Sequence, residues 1–177
     1  GFRISVLFGL CLTLVSSLVG VAAGALQGYY GGWIDLLGQR FMEIWSGLPV
    51  LYLLIILASI VQTNFWWLLG IMLLFSWMML VDLVRAEFLS LKERDYVLAA
   101  RAVGADPWQL VVYHLLPNAI APLIVAATLA VPAAILSESA LSFIGLGVPP
   151  PDASLGSMLQ DAKAWLVTAW WMWIVPG

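Results

Sequence analysis

Four long apolar segments constrain the fold of this chain more than any other feature of its sequence. A transmembrane helix needs about 20 mostly apolar residues to cross about 30 Å of hydrocarbon. The segments that meet or approach this length run from Ile4 to Leu26, from Ile44 to Val61, from Phe65 to Val84 and from Leu115 to Leu136, and a fifth begins near Trp165. The sequence therefore predicts an all-α integral membrane protein with about five spans.

The residue composition supports the same fold class. Of the 177 residues, 63% are hydrophobic and only 10% are charged, whereas about a quarter of an ordinary soluble domain is charged. There is too little charge to cover a water-exposed surface, so we expect the chain to be surrounded by a lipid bilayer. The formal net charge is −3, and no basic stripe is present that could meet phosphates, so we expect no nucleic-acid partner.

Both ends of the chain suggest that it is the middle of a longer protein. It starts at Gly1 instead of Met and stops at Gly177 inside an apolar, aromatic-rich run. The N-terminus also imitates a signal peptide, because Arg3 is followed by an apolar stretch and then by small residues around Gly24. That stretch is long for a signal peptide and further spans follow it, so a transmembrane helix is the preferred interpretation.

The positions of Lys and Arg predict the orientation. Alternating the five spans places two loops on one side, Gln27 to Glu43 and Arg85 to Tyr113, and we name the second the polar loop. The two loops hold five of the seven basic residues, namely Arg40, Arg85, Lys92, Arg94 and Arg101. Since cytoplasmic loops are enriched in Lys and Arg, we expect both loops in the cytoplasm and Gly1 outside.

The first span carries a strip of small residues, which recur every four positions at Ser16, Gly20, Gly24 and Gly28. This spacing places them on one helix face, where another backbone can approach closely. We expect the first span to pack against protein along this strip. Such packing is generic and indicates nothing about a transported substrate.

The fourth span carries three prolines, Pro117, Pro122 and Pro132. Each removes a backbone donor, so we expect the helix to be bent or interrupted there. Interrupted membrane helices often line a cavity, because the freed carbonyl groups need water or protein partners. A kink that serves only packing stays open as the alternative.

Glu138 lies at the end of the same span, between Ser137 and Ser139. A carboxylate at membrane depth is costly, and by default it marks a polar pathway. We therefore name Pro132, Ser137, Glu138 and Ser139 as candidate residues of a substrate path. The alternative is that Glu138 lies at the outer interface, where water makes its charge inexpensive.

The polar loop contains signals for two short helices. Ser90 and Glu93 have the spacing of a capping box, which predicts a helix start at Ser90. Gly104 suits the left-handed turn that ends a helix, and Asp106 followed by Pro107 suits the start of a second helix. The first helix would present small, smooth side chains on one face, at Tyr96, Ala99, Ala100 and Val103. We expect this face to receive the surface of another protein.

The same stretch resembles the cytoplasmic coupling motif of ABC importer permeases. That motif reads Glu-Ala-Ala, three residues, Gly, nine residues, Ile, one residue and Leu-Pro. The matching residues are Ala99, Ala100, Gly104, Leu116 and Pro117. Two positions depart from the motif, because Leu98 stands in place of the glutamate and His114 in place of the isoleucine. The helix–glycine–helix pattern does not depend on either of them.

Further runs resemble the peptide branch of this superfamily and extend the similarity over essentially the whole chain. They include Gly28 to Trp33, Asp95 to Ala102, His114 to Asn118, Ile135 to Gly147 and Leu155 to Leu159. The chain is most similar to the C-type subunit of dipeptide and oligopeptide permeases. The fold that this resemblance implies is the transmembrane-domain core of a type I ABC importer, over residues 1–177, with residues 85–113 as a cytoplasmic coupling loop.

The resemblance also implies partners, a location and a docking site. The partners are a B-type permease subunit as heterodimer partner, two cytoplasmic ATPase subunits and an extracytoplasmic substrate-binding protein. The location is the bacterial or archaeal cytoplasmic membrane. The residues implied in ATPase docking and coupling are Tyr96, Ala99, Ala100, Arg101, Val103, Gly104, Asp106, Pro107, Leu116 and Pro117.

Nucleotide and metal chemistry are not indicated in this chain. It contains no Gly-Lys pair, so a phosphate-binding P-loop is not possible, and we expect ATP and Mg²⁺ to be bound and hydrolysed by partner subunits. His114 is the single histidine, and we predict no metal site and no catalytic residue. The alternatives left open are an ion-coupled secondary transporter and, from another class, an intramembrane enzyme that uses His114.

Overall fold

The computed structural model describes residues 1–149, 151–165 and 168–174, and every regular element in these ranges is helical. The longer helices are α1 (Phe2–Tyr30), α2 (Gly32–Ser46), α3 (Val50–Ile60), α4 (Phe65–Ser76), α5 (Met78–Leu91) and α6 (Asp95–Ala102). Then α7 (Pro107–Gln109) passes through a π-helical segment (Leu110–Leu115) into α8 (Leu116–Phe143). The last elements are α9 (Leu155–Ala162), a 3₁₀ turn (Lys163–Trp165) and α10 (Trp171–Ile174).

Three helical stretches in the described residues are long and apolar enough to cross a membrane. They are Phe2–Tyr30, Phe65–Leu91 and Pro107–Phe143. Helices α2 and α3 form a fourth only if they count as one span bent by 63°. The predicted all-α membrane fold is confirmed, and the described residues account for three or four of the roughly five predicted spans. The fifth prediction, near Trp165, falls partly on positions outside the described ranges.

The second predicted span is not one helix. Within Ile44 to Val61, α2 ends at Ser46 and α3 begins at Val50, with Pro49 in an extended conformation as its N-terminal cap. Proline lacks an N–H and disfavours helical backbone in the preceding residue, so the helix stops before it. The segment from Gln27 to Glu43, predicted as a loop, is also helical except at Gly31.

The prolines of the fourth span do not interrupt it. Helix α8 is continuous from Leu116 to Phe143 and includes all three prolines. Near the first of them, the Asn118 side-chain amide donates a hydrogen bond of 2.6 Å to the carbonyl oxygen of His114. Membrane helices tolerate proline where side chains and local π-helical adjustments satisfy the backbone. Both devices are present at this junction.

The residues fall into two compact units, and the first comprises Gly1–Leu14, Leu48–Phe75 and Leu129–Gly177. Its core contains Phe8, Leu12, Leu54, Leu68, Leu69, Ile71, Ala134 and Leu141. The rings of Phe8 and Phe65 meet edge to face, with centroids 5.6 Å apart. The candidate path residue Glu138 belongs to this unit.

The second unit comprises Val15–Gly47 and Ser76–Thr128, and it is built on the predicted strip of small residues. A Cβ added to Gly20 would lie 2.9 Å from the Trp77 carbonyl oxygen, and one added to Gly24 would lie 2.7 Å from that of Val81. A Cβ on Gly28 would lie 2.6 Å from Cβ of Phe88. Since real side chains do not approach this closely, the contact between α1 and α5 requires glycine. The prediction that the strip packs against protein is confirmed.

A second group of buried side chains fixes the position of α6 in this unit. It contains Val84, Phe88, Val97, Leu110, Leu115, Ala119 and Leu123. These residues come from α5, α6, the π-helical segment and α8. Val97 of α6 has no exposed surface. Helix α6 is therefore attached by apolar contacts to α5 on one side and to the π-helical segment and α8 on the other.

We predict that Gly24→Ala destabilises the full-length protein by about 1–3 kcal/mol, which is typical of overpacking a tight contact. The added methyl group would meet the Val81 backbone, which has no rotamer by which to move away. Thermal unfolding in detergent measures the effect. Gly70→Ala is the matched control, because a Cβ at this helical glycine meets nothing within 4 Å. Equal unfolding midpoints for the two variants would contradict the prediction.

Candidate functional site

The C-terminal end of α6 is closed by a turn at Gly104, as the sequence predicts. Gly104 has φ of 94°, a conformation that only glycine adopts readily. Its N–H donates to the Arg101 carbonyl oxygen at 3.0 Å, and the Ala105 N–H donates to that of Ala100 at 3.1 Å. These two bonds form a Schellman motif, which satisfies carbonyl groups at a helix end. The end of α6 is therefore well determined.

The predicted start of this helix at Ser90 is wrong. Ser90 lies inside α5, which continues to Leu91, and α6 begins only at Asp95. A capping residue needs non-helical backbone, but the Lys92 N–H still donates to the Phe88 carbonyl oxygen at 3.0 Å. The extended residue that precedes α6 is Arg94.

The next helix starts at Asp106 and Pro107, as predicted, but it is not short. The Asp106 carboxylate accepts a hydrogen bond of 3.2 Å from the Trp108 N–H, and Gln109 Oε1 accepts one of 3.2 Å from the Asp106 N–H. This is a capping box with Pro107 in the first helical turn. The helix then continues to Phe143, because the apolar pattern does not stop at the end of the polar loop.

An open groove of about 510 Å³ lies between these two helix ends. Its lining consists of Ala99, Ala100, Val103, Gly104, Ala105 and Gln109. None of these side chains is charged, and Val103 is 90% exposed. The Gln109 side chain also takes part in the capping box, so the lining combines small apolar side chains with one amide group.

The structure brings together four of the ten predicted docking residues, and the other six do not line the groove. Ala99, Ala100, Val103 and Gly104 line the groove. Exposed positions beside it are Tyr96, Arg101, Asp106 and Pro107, while Leu116 is half-buried and Pro117 exposed at the start of α8. Ala105 and Gln109 also line the groove and were not predicted. The spacing of Asp106 and Gln109, three residues apart, was an available signal for a capping box.

Glu138 is fully buried in its unit and accepts hydrogen bonds from serine hydroxyl groups. Ser5 Oγ donates to Oε2 at 2.7 Å, and Ser142 Oγ donates to Oε1 at 2.6 Å. The same two hydroxyl oxygens accept the N–H groups of Leu155, at 3.0 Å, and Val148, at 3.4 Å. Glu138 thus fastens the segment after α8 to α1. Glu138 therefore has no surface exposed to water within this chain, and its depth in the membrane stays a prediction.

The other candidate path residues lie apart from this network or at its margin. Pro132 and Ser137 are exposed on α8, and Ser137 Oγ donates to the Ala133 carbonyl oxygen of its own helix at 2.9 Å. Ser139 is half-buried, and its hydroxyl reaches Glu138 at 3.5 Å. A substrate path through these residues stays a prediction. Among the described positions, no group of three His, Cys, Asp or Glu side chains is placed to hold a metal ion.

Comparison with known proteins identifies the family. Residues 16–176 match the family described as binding-protein-dependent transport system inner membrane component. The chain belongs to this family. Since this match covers most of the chain, the resemblance to ABC importer permeases and the type I transmembrane fold are confirmed, and the chain is a membrane-embedded subunit.

Three relatives illustrate the similarity. The chain is 53% identical to the peptidoglycan transport system permease protein YejE of Agrobacterium fabrum, over 96% of the chain and 45% of that protein. It is 51% identical to the inner membrane ABC transporter permease protein YejE of Escherichia coli, over 96% and 50% respectively. It is 37% identical to the oligopeptide transport system permease protein OppC of Haemophilus influenzae, over 100% and 57%. The chain thus spans about half the length of these relatives.

We predict that Glu138→Ala lowers the unfolding midpoint of the full-length protein, because two buried serine hydroxyls lose their acceptor at about 1–3 kcal/mol each. Glu138→Gln should lose less, since its amide oxygen still accepts one of them. Thermal unfolding in detergent is the measurement. Ser137→Ala is the matched control on the exposed face of the same helix. A midpoint for Glu138→Ala equal to that of the control would show that the network does not stabilise the fold.

Proposed function

We propose that this chain is the permease subunit of an ATP-driven peptide importer and that it couples to cytoplasmic ATPases through the groove between α6 and the next helix. The observation that carries the proposal is the groove itself, which is uncharged, is lined mainly by small side chains and lies between two capped helix ends. Family membership supplies the context, because members are inner-membrane components of binding-protein-dependent transport systems.

The groove has the properties of a protein docking surface. Small uncharged side chains leave room for a complementary surface of a partner, and Val103 offers it an exposed apolar contact. Its lining carries no charge, so the fit depends on shape. Buried Val97 joins α6 to Phe88 of α5 and to Leu115. A displacement of α6 by an ATPase is therefore passed to both long helices, and this is the coupling between sites that transport requires.

The chemistry of ATP belongs to other subunits in this proposal. The chain supplies no P-loop, so ATP and Mg²⁺ are bound by two ATPase subunits at the cytoplasmic face. A B-type permease subunit completes the membrane domain as a heterodimer, and an extracytoplasmic binding protein delivers the substrate. The polar loop lies in the cytoplasm, and the membrane is the bacterial inner membrane.

The substrate class in this proposal is peptides. Relatives are named for transport of peptidoglycan, oligopeptides and dipeptides, and peptide is the chemistry that these substrates share. Pro132 and Ser137, exposed on α8, are the candidates for contact with the substrate path. Glu138 and Ser139 are the other candidates, and Glu138 also fixes the segment that follows α8 through Ser5 and Ser142.

Uptake by reconstituted complexes tests the function. We predict that the full-length protein, purified with its native partner subunits and placed in liposomes with the binding protein, accumulates labelled trialanine or a peptidoglycan-derived tetrapeptide. Accumulation should require hydrolysable ATP and survive ionophores that collapse ion gradients. Uptake that stops with ionophores but continues without ATP would contradict the proposal and favour an ion-coupled transporter.

Docking is tested by a charge placed in the groove. We predict that Val103→Glu weakens ATPase binding at least about tenfold, because burying an unpaired charge costs several kcal/mol. Binding of the purified ATPase subunit to the permease complex in nanodiscs is the measurement. Leu98→Glu is the matched control, since it adds the same charge to α6 outside the groove and restores the glutamate of the motif. Equal losses in both variants would show that the groove is not the contact.

A further inference from the structure

Helix α2 presents polar groups to the protein and large apolar side chains outward. Asp35, Gln39 and Met42 lie four and three residues apart, which places them on one helix face, and Met42 is buried. The opposite positions Trp33 and Ile44 are 77% and 76% exposed. In the second unit, α2 is therefore held largely by polar contacts and not by an extensive apolar core.

The principal polar contact is an ion pair between α2 and α5. Arg85 donates from both Nε and Nη2 to the two carboxylate oxygens of Asp35, and the Nη2–Oδ2 distance is 2.6 Å. The side chains are only 29% and 16% exposed. A two-pronged arginine–carboxylate contact fixes orientation as well as distance. One turn further along α2, Gln39 donates to Asp82 Oδ1 at 3.4 Å, which is a weaker contact.

A second cation, at the residue that directly follows α5, contacts the end of α1. Lys92 Nζ donates to the Gly28 carbonyl oxygen at 3.3 Å, in the last turn of α1. The elbow between α1 and α2 consists of Gly31 and Gly32, with φ of 61° and 54°. Glycines restrict the backbone least, so the angle between α1 and α2 depends on contacts beyond the elbow. Arg85 and Lys92 supply contacts on its two arms.

Arg85 is connected to α6, whose C-terminal end lines the groove, by the last turns of α5 and the short turn that follows them. It lies six residues before Leu91, about 9 Å at 1.5 Å per residue. The turn that follows is closed by hydrogen bonds, including one of 3.1 Å from the Arg94 N–H to the Leu91 carbonyl oxygen. Val97 of α6 then packs in the same apolar group as Phe88 of α5. A shift of α6 therefore reaches Arg85 without a flexible joint.

We propose that the Asp35–Arg85 pair is a positioning link that carries displacement of α6 and α5 to α2. Neither residue lines the groove. The pair sets the angle between α1 and α2 at the glycine elbow. When α5 moves, the pair moves α2 with it and so changes this angle. This inference rests on the proposed coupling role of the groove, since it is the groove that receives the displacement. An ion pair that only stabilised the fold would not transmit such movement.

The test uses the full-length protein with its native partner subunits in liposomes or nanodiscs. The variants are Asp35→Asn, Arg85→Gln, Arg85→Lys and the charge-swapped double variant Asp35→Arg with Arg85→Asp. The first readout is trialanine uptake per ATP hydrolysed. The second is amide hydrogen exchange of α2 with and without a non-hydrolysable ATP analogue, which does not depend on the choice of peptide.

We expect Asp35→Asn and Arg85→Gln to lower uptake per ATP about tenfold, within the range of ordinary coupling free energies. In both variants the ATP analogue should no longer change hydrogen exchange in α2. The charge swap should recover most of the uptake per ATP and of the exchange response of α2. Arg85→Lys should give values between the wild type and Arg85→Gln, because lysine keeps the charge but cannot make the two-pronged contact.

The matched control is an exposed ion pair whose two side chains both belong to α2. Arg40 and Glu43 are joined at 2.6 Å, with side chains 67% and 56% exposed. The double variant Arg40→Gln with Glu43→Gln should keep the wild-type ratio and exchange response. A similar loss in this control would overturn the proposal, because the effect would then reflect loss of any charge from α2.

Two further outcomes would overturn the proposal. One is variants that assemble poorly but keep the wild-type uptake per ATP and the exchange response of α2. The other is failure of every Asp35–Arg85 variant to assemble, including Arg85→Lys and the swap, which would assign the pair to folding. Failure of the proposed function is distinguishable, because the wild-type complex itself would then show no ATP-driven peptide uptake.

Discussion

The close contact between α1 and α5 is the constraint on which the second unit depends. Lipid is as apolar as leucine, so helices in a membrane gain little from the hydrophobic effect and associate by close packing. Gly20, Gly24 and Gly28 let the backbones meet at distances that exclude any Cβ. This contact places α5, and α5 in turn places Val97 of α6 and therefore the groove. The position of the groove therefore depends on three glycines that have no side chain to keep α1 and α5 apart.

A buried or partly buried carboxylate joins separate segments in each unit, but the two carboxylates have different partners. Asp35 is met by a cation in a two-pronged contact, whereas Glu138 is met by two serine hydroxyls that are themselves acceptors for backbone N–H groups. A two-pronged ion pair joins side chains on two helices and keeps their relative orientation. The Glu138 network also includes main-chain N–H groups, so it fixes a segment of backbone. The first arrangement suits a moving link and the second suits a fixed support.

Local signals could be predicted from the sequence, and long-range partners could not. The glycine strip, the turn at Gly104 and the cap at Asp106 each depend on spacing within one element. Arg85 finds Asp35 across 50 positions and Glu138 finds Ser5 across 133, and no local pattern encodes either pair. The contact of Ser142 with Glu138 could have been predicted, because Ser142 follows Glu138 by one helical turn and lies on the same helix face.

The wrong helix boundaries have a common physical origin. Ser90 and Glu93 carry a capping signal, but the apolar residues Val84 and Phe88 bury α5 and extend it past that signal. The prolines of α8 carry a breaking signal, but in a membrane the alternative to a helix is unsatisfied backbone, which costs more than a missing hydrogen bond. Burial and backbone satisfaction overrule local propensity in both places.

The departure at Leu98 can now be interpreted from its position. Leu98 is 47% exposed on α6 and does not line the groove. The groove is made by small residues and by two helix ends whose caps use only Gly104, Asp106 and Gln109 with the backbone. Leucine in place of the motif glutamate therefore leaves the lining of the groove unchanged. In the docking that we propose, binding then depends on fit, with less contribution from a polar contact at this position.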